Sequence, residues 1–363
     1  MRDMMPVSTV YNDARAEFAE TRLSDGTVRC SFASACSTLP LVISPRMPAL
    51  AEDRAAAFAW FAQRAKLIDT LLHEYGGVLL RGFAVPDTAS FRRLTELYPP
   101  HAFGYIAGAA PRKSIDGAVY ESTRMPAPFK IGLHQEKAYM PDYPRLLAFY
   151  CNRPPEAGGE TPLADMRAVT RRLAAGQALK RFREKGVMYR RNFAGPGNAP
   201  QAPASAPFAE YHRCWSDAFM TDDRERVEAL CRETRLACEW LADGSVTVSH
   251  VGRATVVHPV TGEEVWFNQA SAQHVNPRSM GELSFRYLQL AYKSRAALPY
   301  EIRYGDGTPM QAADLDPVYD AMDAEETAFA WRRGDVLLID NILVAHGRNP
   351  FEGARDIQVA LLD

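Results

Sequence analysis

From residue 245 to the end, this chain is a succession of short β-rich pieces separated by turns. They fall at 246–251, 254–258, 264–268, 285–291, 328–331, 336–339 and 357–361, and Val260-Thr261-Gly262-Glu263 reads as a hairpin turn. Many short strands without a strand–helix–strand rhythm exclude a doubly wound parallel sheet. They point to a mainly β fold with helices (α+β), whose core is a double-stranded β-helix, or jelly roll, carrying helical insertions. A jelly roll sets strands that are distant in sequence side by side. It can therefore bring together His134 and His346, which 211 residues separate.

The remainder of the chain reads as an elaboration of that core. The first 50 residues are polar and irregular, with Pro40, Pro45 and Pro48 as breaks, and a single jelly-roll domain is expected over 51–363. Residues 51–75 are Ala-rich with apolar positions at helical spacing, Gly76-Gly77 stops that helix, and Val78-Leu79-Leu80 follows as a buried strand. Asp87 caps a second helix, and 101–118 is a loop with glycines at 104, 108 and 117. Short strands are expected at 119–120 and 131–134, and 146–151 is a strongly apolar strand. An insertion is expected around 165–240. It begins with a basic amphipathic helix over 165–185 capped by Asp165, and another helix lies near 221–235. Within it, 194–209 is built of Gly, Pro, Ala and Ser, which supply no packed core. Its place between the candidate metal residues fits either an active-site lid or an inert surface insertion.

Composition narrows the class. A net charge of −2 offers no bulk attraction for nucleic acid or an anionic membrane surface. No apolar run approaches the length of a membrane span, and no leader pattern opens the chain, so a cytoplasmic protein is expected. The six scattered cysteines contain no C-x-x-C and read as reduced thiols. Oligomeric state is not legible and leaves room for a homo-oligomer.

Of the eight histidines only His134 has an acid two residues on, Glu136. Ligands at i and i+2 of an extended segment point to one side. With His346 they form a 2-His-1-carboxylate set, which holds Fe(II) on one face and leaves adjacent positions open for a cosubstrate and O2. A 2-oxoacid chelating through its keto and C1 carboxylate oxygens would need a fixed cation at its far carboxylate. Arg355, nine residues after His346, suits that role, since a guanidinium grips a carboxylate bidentately, and the Thr161 hydroxyl could add a second bond. Taken singly, Arg355 fits a surface ion pair, Thr161 a loop, and His346 a core histidine. It is the joint pattern that points to chemistry: H-x-E, then Gly158-Gly159-Glu160-Thr161, then His346-Gly347-Arg348 and Arg355.

Those motifs carry a resemblance. The segments GGVLLRGF (76–83), LHQE (133–136), RPPEAGGETPLAD (153–165), HPVTGEEVWFNQ (258–269), YGDGTP (304–309) and WRRGDVLLIDNILVAHGRNPFEGAR (331–355) resemble the taurine dioxygenase/clavaminate synthase-like superfamily of Fe(II)/2-oxoglutarate-dependent oxygenases. Within it the likeness is greatest to the syringomycin-type amino-acid hydroxylases, and it covers most of residues 70–363. The resemblance implies iron at His134, Glu136 and His346, and 2-oxoglutarate at Thr161 and Arg355. It also implies hydroxylation of an unactivated C–H bond, with desaturation or oxidative cyclisation as alternative outcomes. A non-catalytic jelly-roll binding module is the alternative of another class, and the five intact positions speak against it.

Departures shape the substrate expectation. Where the taurine enzyme has a sulfonate-binding Arg this chain has Val359, which disfavours sulfonates. Halogenating relatives replace the carboxylate ligand with a small residue, whereas Glu136 is present. Gln135 replaces a more usual Asn and should face away from the metal. Loop residues are the candidate substrate contacts: Tyr105, Arg112, Ser122, Thr123, Arg124, Tyr139, Asn268, Gln269 and Arg348, the last able either to bind an anion or to brace its turn. So polar a set fits an amino-acid-like small molecule, free or tethered to a carrier protein.

Overall fold

The computed structural model describes residues 7–23, 26–102, 114–116, 119–122, 125–195, 213–292 and 298–363. Consecutive strands alternate between two sheets. Ile131–His134, Leu146–Arg153 and Thr161–Asp165 go to the small, the large and the small sheet. Thr327–Phe329, Val336–Asp340, Val344–Arg348 and Asp356–Leu362 then alternate small, large, small, large. This zigzag is the jelly roll expected from the strand spacing. The large sheet runs Val28–Ser34, Ser37–Pro45, Gly77–Leu80, Val336–Asp340, Leu146–Arg153, Asp356–Leu362, Val119–Glu121, Ser114–Asp116.

The large sheet is covered on both faces, which explains its continuous apolar runs. Leu337, Ile339, Leu147, Phe149, Ile357 and Val359 point into the core shared with Leu163, Ala164, Val344 and Ala345 of the small sheet. Their neighbours Val336, Leu338, Leu146, Ala148 and Tyr150 point the other way. There they meet the helix Arg54–Tyr75 through Trp60, Phe61, Ile68, Leu71 and Leu72. The Asp53 carboxylate caps that helix by accepting from Ala55 N, and Gly76 ends it at φ 78. A side chain at Gly76 would meet Val344 Cγ2 at 2.6 Å, so both the turn and the packing demand glycine.

Several expectations are corrected. The first 50 residues are not irregular: a helix spans Val7–Leu23, and strands Val28–Ser34 and Ser37–Pro45 extend the large sheet, the second pairing in parallel with Gly77–Leu80. Polar composition hid them because one is an edge strand with exposed positions. The basic helix breaks into Met166–Ala174 and Ala178–Lys185 around Gly176. The piece at 285–291 belongs to a helix, Glu282–Ala291, whose buried residues Ser284 and Leu288 sit four apart. Strands Val187–Phe193 and Tyr300–Tyr304 were not foreseen; they form a further sheet with Val246–Gly252 and Ala237–Trp240. Between Thr161–Asp165 and Thr327–Phe329 the chain adds this sheet and several helices. Of the segment 194–209, residues from 196 on lie outside the described residues.

Candidate active site

The small sheet builds the site by register. His346 on Val344–Arg348 lies directly across from His134 on Ile131–His134. The strands can approach this closely because Gly347 follows the histidine: a Cβ there would sit 2.5 Å from the Ile131 carbonyl oxygen. The two imidazole centroids are 4.5 Å apart, and Phe149 packs on His346 at 5.1 Å. Glu136 completes a cluster in which one ligand atom from each of the three residues lies within 4.8 Å of the others. Glu136 Oε2 is 4.0 Å from His346 Nε2. His134 Nδ1 is 2.9 Å from the Gly132 carbonyl, which can only accept, so Nδ1 carries the proton and Nε2 keeps its lone pair for a metal.

Groups around the cluster hold it in place. The Asn341 side chain clamps the Glu136 peptide from both sides: Glu136 N donates to Asn341 Oδ1 at 2.7 Å, and Asn341 Nδ2 donates to the Glu136 carbonyl at 2.9 Å. Gln135 faces away from the cluster and donates to the carbonyls of Trp266 and Ile342. Lys137, in the turn that follows the strand, has left-handed backbone at φ 57. Its buried ammonium lies 3.1 Å from His101 Nε2, and burial pulls its pKa down to about 8.

A second grouping, His73, His258 and Asp340, has the composition of a metal site but not its valence. His258 Nδ1 accepts from the backbone N–H of Val260 and Thr261, so Nε2 bears the proton and donates to Asp340 at 2.9 Å. Asp340 Oδ1 meanwhile accepts from Ile342 N and Leu343 N. This pair fixes the turn that presents Asn341.

Two cavities meet at His134 and Glu136. The smaller is walled by Ile131, Phe149, Ile357 and Val359, and also contains His346, Thr161, Arg355, Arg348 and Ser122. The half-buried Arg355 guanidinium has no carboxylate within ion-pair distance among the described residues; it reaches Ser122 Oγ at 3.4 Å and lies over the Phe351 ring at 5.6 Å. Burial first, then the neighbouring Arg348, pulls its pKa down to about 10. A half-buried cation that the neighbouring Asp356 offsets only from a distance is a site for an anion. Thr161 Oγ1 accepts from Trp331 Nε1 at 2.9 Å, which leaves the hydroxyl proton free to donate. The residues thus fit a metal bound by His134, Glu136 and His346 with a dicarboxylate reaching to Arg355.

The larger cavity, about 480 Å³, is of a size for a small molecule and is lined in part by Tyr139, Gln269, Ser271, Gln273 and Tyr319. Of the foreseen substrate contacts, Tyr139 and Gln269 are on this wall. Ser122 is in the smaller cavity beside Arg355. Asn268 is buried away from both; its side chain spans the Ala254 carbonyl and Ala270 N, so its role is structural. Arg348 takes the bracing alternative: its guanidinium donates to the carbonyls of Met125, Pro126 and Phe129 and holds that loop. Tyr105, Arg112, Thr123 and Arg124 lie outside the described residues. Trp331, Asn341 and Gln273 were not singled out. The first two stand inside a long motif, but only their tertiary contacts reveal what they do.

Comparison with known proteins agrees with this geometry. The model of the taurine catabolism dioxygenase TauD, TfdA family matches residues 51–361. The dapdiamide synthesis protein DdaC of Enterobacter agglomerans is 35% identical over 296 residues, 82% of this chain and 84% of that one. A clavaminate synthase-like protein of Arabidopsis thaliana is 31% identical over 337 residues, 89% and 93% of the two chains. Among solved structures, the PvcB protein of Pseudomonas aeruginosa shares the fold with a TM-score of 0.51 at 16% identity, covering 93% of this chain and 92% of that one.

Proposed function

The chain belongs to the taurine catabolism dioxygenase TauD, TfdA family and is an Fe(II)/2-oxoglutarate-dependent dioxygenase, and from that premise we propose that it hydroxylates an unactivated C–H bond of an amino-acid-like substrate in specialised metabolism. One observation carries the assignment of roles. His134, Glu136 and His346 line a small cavity that also holds a half-buried guanidinium with no carboxylate in contact among the described residues, and His134 and Glu136 also line a second cavity large enough for a substrate.

In this reading His134 Nε2, Glu136 and His346 hold the iron, while Arg355 and the Thr161 hydroxyl hold the far carboxylate of 2-oxoglutarate. Bound there, Fe(II) with 2-oxoglutarate and O2 supplies an oxidant able to break a C–H bond, with succinate and CO2 as coproducts. The walls Ile131, Phe149, Ile357 and Val359 exclude water from the cosubstrate, and the larger cavity sets one C–H bond of the substrate against the metal. Retention of Glu136 supports oxygen transfer over halogenation, because the carboxylate takes the position a halide would need. The neutral polar wall of Tyr139, Gln269 and Ser271 supports an amino-acid-like substrate, as does the kinship with a protein of dapdiamide synthesis. Carrier tethering is part of the same proposal. Among the described residues no helix is long and apolar enough to cross a membrane.

The test is a mass-spectrometric product screen of the purified protein with Fe(II), 2-oxoglutarate and free or carrier-bound amino acids. A product gaining one oxygen atom is expected, with stoichiometric succinate; loss of two hydrogens would show desaturation or cyclisation instead. His346→Ala should abolish both, and retained turnover would overturn the ligand assignment.

A further inference from the structure

A chain of amides runs from the metal-bearing strand to the wall of the larger cavity. It starts on backbone: the Gln135 carbonyl, between His134 and Glu136, accepts from Gln269 Nε2 at 2.5 Å. Gln269 Oε1 then accepts from Gln273 Nε2 at 2.7 Å. The two glutamines are four residues apart, Gln269 just before the turn Ala270–Gln273 and Gln273 at its end, which stacks their side chains.

The direction of this chain is not a free choice. A carbonyl cannot donate, so the Gln135 oxygen dictates which end of Gln269 is nitrogen, and Gln269 Oε1 dictates the same for Gln273. Flipping either amide sets two oxygens against each other. The chain must end on an acceptor, Gln273 Oε1. That atom is buried and accepts no hydrogen bond. Gln273 is only 7% exposed, yet it lines the cavity. Among the described residues, no other buried and unmatched side-chain atom belongs to a residue of that wall. Leaving an acceptor unmet costs about 1–3 kcal/mol, which a donor from the cavity's occupant would remove.

Away from Glu136 the charges of that wall balance, Lys130 and Arg278 against Asp323 and Glu326, so nothing there repels an amino group.

We propose that on binding the Gln273 amide turns toward the cavity it lines, so that Oε1, closed off in the ligand-free protein, accepts from an N–H donor of the substrate, the ammonium or carboxamide group of an amino-acid-like molecule. The inference rests on the larger cavity being the substrate site of the oxygenase.

The experiment is calorimetric titration of the full chain loaded with Mn(II), a metal that does not turn over. 2-Oxoglutarate is titrated first, and failure to bind it would defeat the oxygenase reading itself. The standard L-amino acids and their primary amides follow, each against analogues with the amine trimethylated or replaced by hydroxyl. Binding is expected only from probes with an N–H donor. Gln273→Met, similar in shape but without the acceptor, should weaken the best probe by about tenfold to a hundredfold and leave 2-oxoglutarate affinity as it was. Gln273→Leu serves if the first variant does not fold, and thermal melting of each variant is the control. Equal binding of trimethylated or hydroxyl analogues, full affinity in a folded Gln273 variant, or no binding by any N–H-bearing probe would each overturn the proposal.

Discussion

Replacing Arg355 with Met should move two measurements in opposite directions. In the ligand-free protein the guanidinium is a burden: it is half-buried, lies near Arg348, and has no carboxylate within ion-pair distance among the described residues. Burial lowers its pKa well below the usual guanidinium value, to about 10. That corresponds to a penalty on the charged form on the order of 3 kcal/mol, an upper figure because the residue is partly exposed. The sign follows from linkage. The folded pKa of this base lies below the unfolded one, so the penalty is fully present at neutral pH and fades only as pH rises past about 10. Arg355→Met removes it, and the methionine stem keeps the contact with Phe351 that the guanidinium now makes at 5.6 Å. Urea unfolding at neutral pH should therefore show a ligand-free variant as stable as the wild type or more stable, by up to about 2 kcal/mol after discount for solvent screening. 2-Oxoglutarate should bind far worse. Truncating one partner of a buried charged pair costs about 2–5 kcal/mol, at least roughly thirtyfold in Kd. Calorimetry with Mn(II) reads this directly. A variant that binds 2-oxoglutarate within about twofold of the wild type would refute the reasoning, and so would a ligand-free protein several kcal/mol less stable.

Other consequences follow from the same contacts. Trp331→Phe removes the donor to Thr161, and KM for 2-oxoglutarate should rise about three- to tenfold with little change in substrate KM; equal rises in both would mean general loosening. Asn341→Ala unclamps the Glu136 peptide, which should cost about 1–3 kcal/mol in chemical unfolding and weaken Mn(II) binding; unchanged metal affinity would show that the clamp does not position the ligand.

How much of this was legible beforehand depended on the range of the signal. Two helix starts were readable because they are local: Asp87 and Asp165 each cap a helix through a backbone N–H two or three residues on. The apolar runs at 146–151 and 336–339 were readable because a strand buried on both faces needs no alternation. The segment at 285–291 misled because its aromatic and branched residues suit a strand, while tertiary packing buried only the helical pair Ser284 and Leu288. Asn268 was misplaced for a related reason: its side chain suits a ligand, but a backbone carbonyl and an amide N–H took it first, while for Arg348 the loop carbonyls decided between the two alternatives left open.

The sequence by itself set out the candidate donors and their order: two imidazoles, one carboxylate, one hydroxyl and one guanidinium. Such identities are covalent facts, and spacing within one strand decides which side chains share a face. Only the tertiary structure decided that His346 sits opposite His134, that Arg348 is occupied and Arg355 has no carboxylate in contact among the described residues, and that an amide chain from Gln135 ends on an unmet oxygen at Gln273. Register between strands 211 residues apart, and the competition of each polar group for partners, depend on every neighbour at once. No stretch of sequence carries that information alone.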